Sequence, residues 1–326
     1  MFIAPFYNTP KLCVTTSWNP NATTIVNNTI IGTTPWGIFV DKNNTVYTAS
    51  RQYGRIDSWF ADGRITTRYI SRSSSQPYSI FVSFNGDIYV SSISSSSYYI
   101  DKFTVNGINS TLVGTTSRLC YSLFIDFNDI LYCSINDDHQ VVKKPLDSDS
   151  NIWTNVAGIS GSSGSSSTMF NQPAGIFVDV NLDLYVADWN NDRIQLFHLG
   201  TSTGITVVGS TSSNTTISLN GPSGVVLDAD KYLFIVDQLN HRIVGSGPNG
   251  FRCLVGCSGS GNAAYSMSSP RPMAFDSYGN IYVVDRDNDR IQKFIAMQDA
   301  CCELFVHNAR DHNMKSIFSI GINCYY

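Results

Sequence analysis

A seven-residue phrase recurs along the chain, and this repetition constrains the fold more than any other feature of the sequence. The clearest copy is Pro173-Ala-Gly-Ile-Phe-Val-Asp179, an apolar run between a proline and an acidic residue. Six copies begin at Pro35, Pro77, Cys120, Pro173, Pro222 and Pro270, about 42 to 53 residues apart. A period of this length is typical of one four-stranded blade of a β-propeller.

A second phrase follows each copy after a short polar turn. In the last three copies an apolar run ends in Asp, and an Arg follows five residues later: Asp188 with Arg193, Asp237 with Arg242, and Asp285 with Arg290. The phrase is fair in copy one and degenerate in copies two and three. Its runs are too short for helices and are separated by Asn, Asp and Gly. Each repeat is therefore predicted to form four antiparallel strands, named a to d.

The composition agrees with an all-β fold. Ser, Thr, Asn, Gly and aromatic residues are abundant, and Glu303 is the single glutamate although Asp is common. Glu favours helices whereas Asp favours turns, so this imbalance argues against a helical protein. We predict one six-bladed β-propeller of four-stranded antiparallel blades.

The ring of blades must close, because an unpaired sheet edge is a liability. The sixth repeat ends near Phe294 without a clear strand d, while Leu12 to Val26 offers strand-like sequence before the first repeat. We predict that this N-terminal segment completes blade six. The predicted organisation is an N-terminal extension (1–11), the propeller (12–294) and a C-terminal tail of unknown structure (295–326).

The two phrases together, Pro-x-Gly-Ile-x-Val-Asp and then Tyr-Val-Ala-Asp with Asn-x-Arg-Ile-Gln, resemble the NHL-repeat family. The resemblance covers roughly residues 12–294 and is strongest in copies four to six. It implies a propeller that serves mostly as an interaction platform for proteins, RNA or other ligands. The family also includes the targeting modules of some ubiquitin ligases and a lyase that completes peptide amidation.

An enzyme is the main alternative to a binding module. A zinc centre like that of the amidating lyase needs three convergent ligands, and the five histidines are scattered. A lactonase-like calcium site usually uses a glutamate near the channel, yet Glu303 lies beyond the ring. We therefore expect no catalytic residue, no metal and no cofactor, and we interpret the repeated Asp–Arg pairs as structural braces of the b–c loops.

Charge and targeting signals leave the compartment open. The formal net charge is -4, which makes RNA a less favoured partner. No apolar run reaches the length of a bilayer span, and Met1 to Pro10 lacks the pattern of a signal peptide. The Asn-x-Ser/Thr sequons are about as frequent as chance provides, so they decide nothing about the compartment. An extracellular location is slightly favoured.

The eight cysteines contain no Cys-x-x-Cys pair, so a zinc ribbon is not expected. Cys120 and Cys133 fall on neighbouring predicted strands. Cys253 and Cys257 would lie about 13 Å apart in a continuous strand, so a bond between them requires a turn. Disulfides and free thiols both remain open.

The b–c and d–a connections of an up-and-down blade share one face of the propeller, here named the loop face. The second residue of each a phrase should stand at the channel mouth on this face, beside the first residue of each b–c loop. Blades one to three place aromatic residues there, and the junction of blades six and one places arginines. We predict a ligand-binding site formed by Trp36, Tyr78, Tyr121, Arg271, Arg51, Trp189 and Arg286.

The predicted function is non-catalytic recognition of a peptide or protein at this site, with a glycan as a further ligand class. Trp, Tyr and Arg are the side chains most enriched at interface hot spots. The competing interpretation is that the aromatic side chains only pack between the blades.

Overall fold

The structure, a computed structural model, describes residues 9–13, 15–60, 64–70, 75–104, 110–148, 150–213, 216–297, 301–310 and 316–325. Six four-stranded antiparallel sheets dominate it. The first strand of each sheet contacts the first strand of the next, and that of the sixth sheet contacts that of the first. The sheets thus form a closed ring, and the predicted six-bladed propeller is confirmed.

The strands of each blade run from the channel outward, a to d. Blade one has Ile38–Val40, Val46–Ser50, Arg55–Trp59 and Ile65–Ile70. Blade two has Gln76–Val82, Ile88–Ser94, Ser97–Phe103 and Ser110–Thr116. Blade three has Cys120–Ile125, Ile130–Ile135, Gln140–Pro145 and Thr154–Gly158. Blade four has Pro173–Val178, Leu184–Asp188, Arg193–Phe197 and Ile205–Gly209. Blade five has Pro222–Leu227, Leu233–Asp237, Arg242–Gly247 and Gly250–Val255.

Blade six combines the two ends of the propeller. Its strands a to c come from the last repeat and its strand d comes from the N-terminal segment: Pro270–Phe275, Ile281–Asp285, Arg290–Phe294 and Thr23–Asn27. Val26 lies opposite Ile291 in the antiparallel register. The predicted closure is therefore confirmed, and it pairs the edge that strand c would otherwise expose.

Short elements flank the closing strand. The helix Asn28–Ile31 links it to blade one, with the side chain of Asn27 accepting a hydrogen bond from the Thr29 amide. Ser17–Trp18 pairs with Ala296–Met297, so the start of the tail is tied to the N-terminal segment. Cys301–Arg310 and Ser316–Tyr325 form a two-stranded hairpin. Residues 1–8 of the expected N-terminal extension lie outside the described residues.

Strand a is buried in every blade, as its apolar sequence requires. Phenylalanines at one position of this strand line the channel in blades one to four. Their ring centroids lie 4.9 Å apart between Phe39 and Phe81, 5.2 Å between Phe81 and Phe124, and 5.1 Å between Phe124 and Phe177. Blades five and six carry Val226 and Ala274 instead, and these smaller side chains leave a cavity of about 100 Å³ in the channel.

Four of the cysteines form two disulfides within blades. Cys120 and Cys133 join strands a and b of blade three, with a Cα–Cα distance of 5.4 Å. Cys253 and Cys257 are also bonded, with their Cα atoms 6.0 Å apart. Gly256, at a φ of +74°, supplies the turn that brings these two cysteines together.

Candidate functional site

The b–c loops of blades three to six share one local structure. Each forms a single turn of 3₁₀ helix on the loop face: Asn136–Asp138, Trp189–Asn191, Gln238–Asn240 and Arg286–Asn288. The next residue adopts the left-handed conformation in every case: His139, Asp192, His241 and Asp289. Asp, Asn and His are the non-glycine residues that occupy this conformation most readily.

These four left-handed residues connect neighbouring blades. Each side chain accepts a hydrogen bond from a backbone amide that precedes strand a of the next blade. The bonds are His139 Nδ1 to Gln172 at 3.1 Å, Asp192 Oδ1 to Gly221 at 2.7 Å, His241 Nδ1 to Ser269 at 3.1 Å, and Asp289 Oδ1 to Thr34 at 2.7 Å. The two histidines therefore link neighbouring blades through these hydrogen bonds. Sequence reasoning missed this role, although their shared place before strand c was a usable signal.

The Asp–Arg pairs brace the loop face. Arg193 Nε donates to Asp188 Oδ2 at 2.8 Å, and its other nitrogens donate to the backbone carbonyls of Ser165, Ser166 and Met169. Arg242 with Asp237 and Arg290 with Asp285 repeat the ion pair. Burial raises the pKa of Asp188, whereas the hydrogen bonds from Asn191, the Asn171 amide and Arg193 act to lower it. These contacts support the structural interpretation of the pairs.

Six of the seven predicted site residues meet at the channel mouth. The Trp36 ring lies edge-on to two tyrosine rings, with centroid distances of 5.0 Å to Tyr78 and 5.4 Å to Tyr121. Three arginines surround the same indole. We name this group the mouth cluster; it consists of Trp36, Tyr78, Tyr121, Arg51, Arg271 and Arg286.

The guanidinium groups of the mouth cluster lie over aromatic faces. The central carbon of the Arg271 guanidinium is 4.0 Å from the Trp36 ring centroid, and those of Arg51 and Arg286 are at 4.9 and 5.2 Å. Arg51 also lies 4.1 Å from the Tyr78 centroid and donates to the Tyr78 hydroxyl at 2.6 Å. Each close cation–π contact contributes about 0.5–2 kcal/mol.

Burial and the charge of Arg286 lower the pKa of Arg271 and of Arg51. Arg271 is only 9% exposed, and burial lowers its pKa to about 10; Tyr121 opposes this shift and Arg286 adds to it. Burial also lowers the pKa of Arg51 and raises that of Tyr78. Neither Arg271 nor Arg51 has an ion pair with any residue that the structure describes.

Trp189, the seventh predicted residue, makes different contacts. It begins the b–c loop of blade four, the position that Arg51 and Arg286 occupy in their own blades. Its indole nitrogen, however, donates to Gln238 Oε1 in blade five at 3.1 Å. Its contacts are thus between blades. Trp36 itself is 6% exposed, so it both packs the mouth and underlies the arginines.

The part of the chain that the structure describes lacks two other features. Within the described ranges, no three His, Cys, Asp or Glu side chains form a group that could hold a metal ion. The same part of the chain has no helix that is long and apolar enough to cross a membrane.

Comparison with known proteins supports the fold. Residues 170–197 match the model of the NHL repeat. No curated protein matches the chain by sequence. Among solved structures, virginiamycin B lyase from Staphylococcus aureus is similar, with a TM-score of 0.57, 14% identity, and coverage of 86% of this chain and 100% of that one.

Two further enzymes show the same likeness. The PQQ-bound aldose sugar dehydrogenase from Streptomyces coelicolor has a TM-score of 0.60 at 13% identity, covering 88% of this chain and 100% of that one. A gluconolactonase from Xanthomonas campestris has a TM-score of 0.59 at 11% identity, covering 81% and 86%. At these identities the likeness shows the propeller fold alone.

Proposed function

We propose that this NHL-repeat propeller is a non-catalytic binding module that recognises a peptide or protein segment at the mouth of its channel. The observation that carries the proposal is the mouth cluster, in which three arginines converge on Trp36 and the central one is buried without an acidic partner among the described residues. Such an arrangement costs folding free energy, because a buried charge without an ion pair is only partly stabilised by cation–π contacts.

The shape of the loop face supports the same proposal. The cluster occupies one side of the mouth, whereas blades four and five place Ala174 and Ser223 at the corresponding position. This departure from the six-fold pattern matches the needs of an asymmetric ligand. The connections before blades four, five and six are also long, and loops on a rigid scaffold can vary for recognition without harm to the fold.

A glycan is less favoured than a peptide. Sugar rings bind by stacking on an exposed aromatic face, but Arg271 already lies 4.0 Å from the centroid of the Trp36 ring. Tyr78 is likewise covered by Arg51. A peptide that offers both polar and apolar groups fits this surface better.

Selection from a random peptide library displayed on phage tests the proposal, with the whole chain as the bait. Enriched peptides should bind the purified protein in calorimetry, and Arg51→Ala should weaken that binding by about tenfold or more. The matched control is Arg118→Ala, which changes an exposed arginine on a d–a connection of the same face. Failure to enrich any peptide, or equal loss in both variants, would refute the proposal.

An assay of enzyme activity tests the alternative. The protein would be incubated with gluconolactone and with quinupristin, in the presence of Mg²⁺ or Ca²⁺ and of EDTA. We expect no turnover above buffer. Turnover that needs the metal and disappears with EDTA would favour an enzyme over a binding module.

A further inference from the structure

Seven described arginines fall into two groups according to the partner of the Nε atom. In the braces of blades four, five and six, and in a pair within strand c of blade one, Nε donates to an aspartate at 2.7–2.9 Å: Arg193 to Asp188, Arg242 to Asp237, Arg290 to Asp285, and Arg55 to Asp57. In the mouth cluster the buried Nε atoms of Arg51, Arg271 and Arg286 have no hydrogen-bond partner in the described part of the chain.

The charge of the mouth is also uncompensated. Asp287 is the one carboxylate in an ion pair there among the described residues; it lies 3.2 Å from Arg286 and is 43% exposed. In the described part of the chain, the guanidinium groups of Arg51 and Arg271 contact the rings of Trp36, Tyr78 and Tyr121, and Arg51 also donates to Gln76, but neither forms an ion pair. Three like charges thus share a small, partly buried volume with a single exposed counter-charge.

Cation–π contacts offset only part of this cost. A desolvated contact with Trp contributes about 2 kcal/mol, whereas removing one ion from water costs several kcal/mol. Guanidinium groups have planar forks of N–H donors that match the oxygens of carboxylates and phosphates. Buried Nε donors without partners, next to uncompensated positive charge, are groups that can bind an oxyanion.

We infer that the mouth cluster is an oxyanion site, in which Arg51, Arg271 and Arg286 together hold a carboxylate or phosphate group of the bound ligand. The inference rests on the proposed function for the nature of the ligand, a peptide, and adds the chemical group by which that peptide is recognised. Trp36 forms the floor below the group, and Arg271 is the central donor.

The first experiment needs no peptide. The melting temperature is measured with increasing acetate, phosphate or sulfate, at constant ionic strength set with chloride. At least one of these anions should raise the melting temperature of the natural chain saturably, by about 2 °C or more beyond its effect on Arg271→Met. Arg118→Met, the matched control on the same face, should respond like the natural chain. Equal responses of the natural chain and Arg271→Met would overturn the inference, because they would reflect general salt effects.

The second experiment identifies the source of the oxyanion. Four capped pentapeptides, Gly-Gly-x-Gly-Gly, carry Asp, Asn, phosphoserine or serine at the centre, and a fifth keeps a free C-terminal carboxylate. Binding is followed by the change in tryptophan fluorescence, with Trp36→Phe to identify the signal of Trp36. At least one anionic peptide should bind about tenfold or more tightly than its neutral counterpart.

The outcomes separate this inference from the proposed function. If neutral and anionic peptides bind equally, the oxyanion site is wrong but peptide recognition stands. If inorganic oxyanions bind at the mouth and no peptide does, the oxyanion site stands and the proposed function fails. If neither anions nor charged peptides distinguish Arg271→Met from the natural chain, the mouth cluster is structural packing.

Discussion

Arg271 holds its guanidinium carbon 4.0 Å from the centre of the Trp36 ring, so a side chain of the last blade stacks on a side chain of the first. The contact joins the two blades at the channel mouth, where Arg271 is only 9% exposed. Its charge costs folding free energy, and this cost can be measured directly.

We predict that Arg271→Met stabilises the protein in chloride buffer. Methionine fills a similar elongated space without a charge, and replacing buried ionic groups by apolar ones of similar volume is often stabilising by about 1–4 kcal/mol. The free energy of unfolding is measured with urea and should rise by about 1 kcal/mol or more. A clear loss of stability would show that the stack on Trp36 outweighs desolvation.

Ring closure depends on the buried side of strand Thr23–Asn27. Val26 is 6% exposed and faces the cluster around Ile291 and Ile31. Val26→Asp should therefore lower the free energy of unfolding by about 3 kcal/mol or more, because it buries a carboxylate without a partner. Thr23→Asp, on the exposed side of the same strand, is the control and should change it by less than about 0.5 kcal/mol. Similar effects of both would argue against a buried closing strand.

The braces should differ in their contribution to stability according to burial. Asp188 and Arg193 are 0% and 2% exposed, whereas Arg242 is 23% exposed beside its Asp237. Removing one partner of a buried pair costs about 3–5 kcal/mol, since the other charge is left unpaired. Arg193→Ala should approach this range and Arg242→Ala should cost clearly less. Urea unfolding of the two variants compares them, and equal costs would contradict the ranking.

Asp228 breaks a pattern that three other blades keep. In blades one, three and six the aspartate at the end of strand a accepts a hydrogen bond from a strand-b tyrosine: Asp41 from Tyr47, Asp126 from Tyr132, and Asp276 from Tyr282. Blade five has Phe234 at the tyrosine position, and Asp228 Oδ2 is buried without a partner among the residues described. Burial raises the pKa of Asp228 to about 7, with Asp230 adding to the shift and two backbone amides opposing it.

The raised pKa predicts a pH dependence of stability. The unfolded carboxyl has a pKa of about 3.9, so between about pH 4 and pH 7 the folded state keeps a proton that the unfolded state releases. The free energy of unfolding should fall as the pH rises through this window, by about 4 kcal/mol at most. Phe234→Tyr, which restores the hydroxyl donor, should reduce this fall, and Asp228→Asn should remove it. Parallel pH profiles of all three proteins in urea unfolding would contradict the prediction.

The fold could be predicted in detail because its information is local and repeated. The length of the repeat, the strand order and the missing strand d of repeat six together predict a ring closed by the N-terminal segment. The closing strand Thr23–Asn27 pairs with strand c of blade six, as this prediction requires. Each blade needs the same apolar strand a and the same turn, so the six copies of the repeat give six independent indications of the same blade structure.

The candidate site could be predicted only in part. The repeat register places Trp36, Tyr78, Tyr121 and Arg271 at equivalent positions, so their meeting at the mouth followed from the ring. Trp189, at the start of its own b–c loop, instead donates to Gln238 of the next blade. The direction of a loop side chain depends on which groups the neighbouring blade presents. The spacing of the repeats carries no information about those groups.

The sequence by itself therefore determined the number of blades, their strand order, the closing segment and all six members of the mouth cluster. Only the tertiary structure decided which charged groups have partners. The four arginines paired through Nε and the three mouth arginines are the same residue type, yet only in the first group does Nε donate to a carboxylate. Whether a donor is satisfied depends on distances of a few ångströms between segments far apart in the chain, and these are fixed only when the blades pack into the ring.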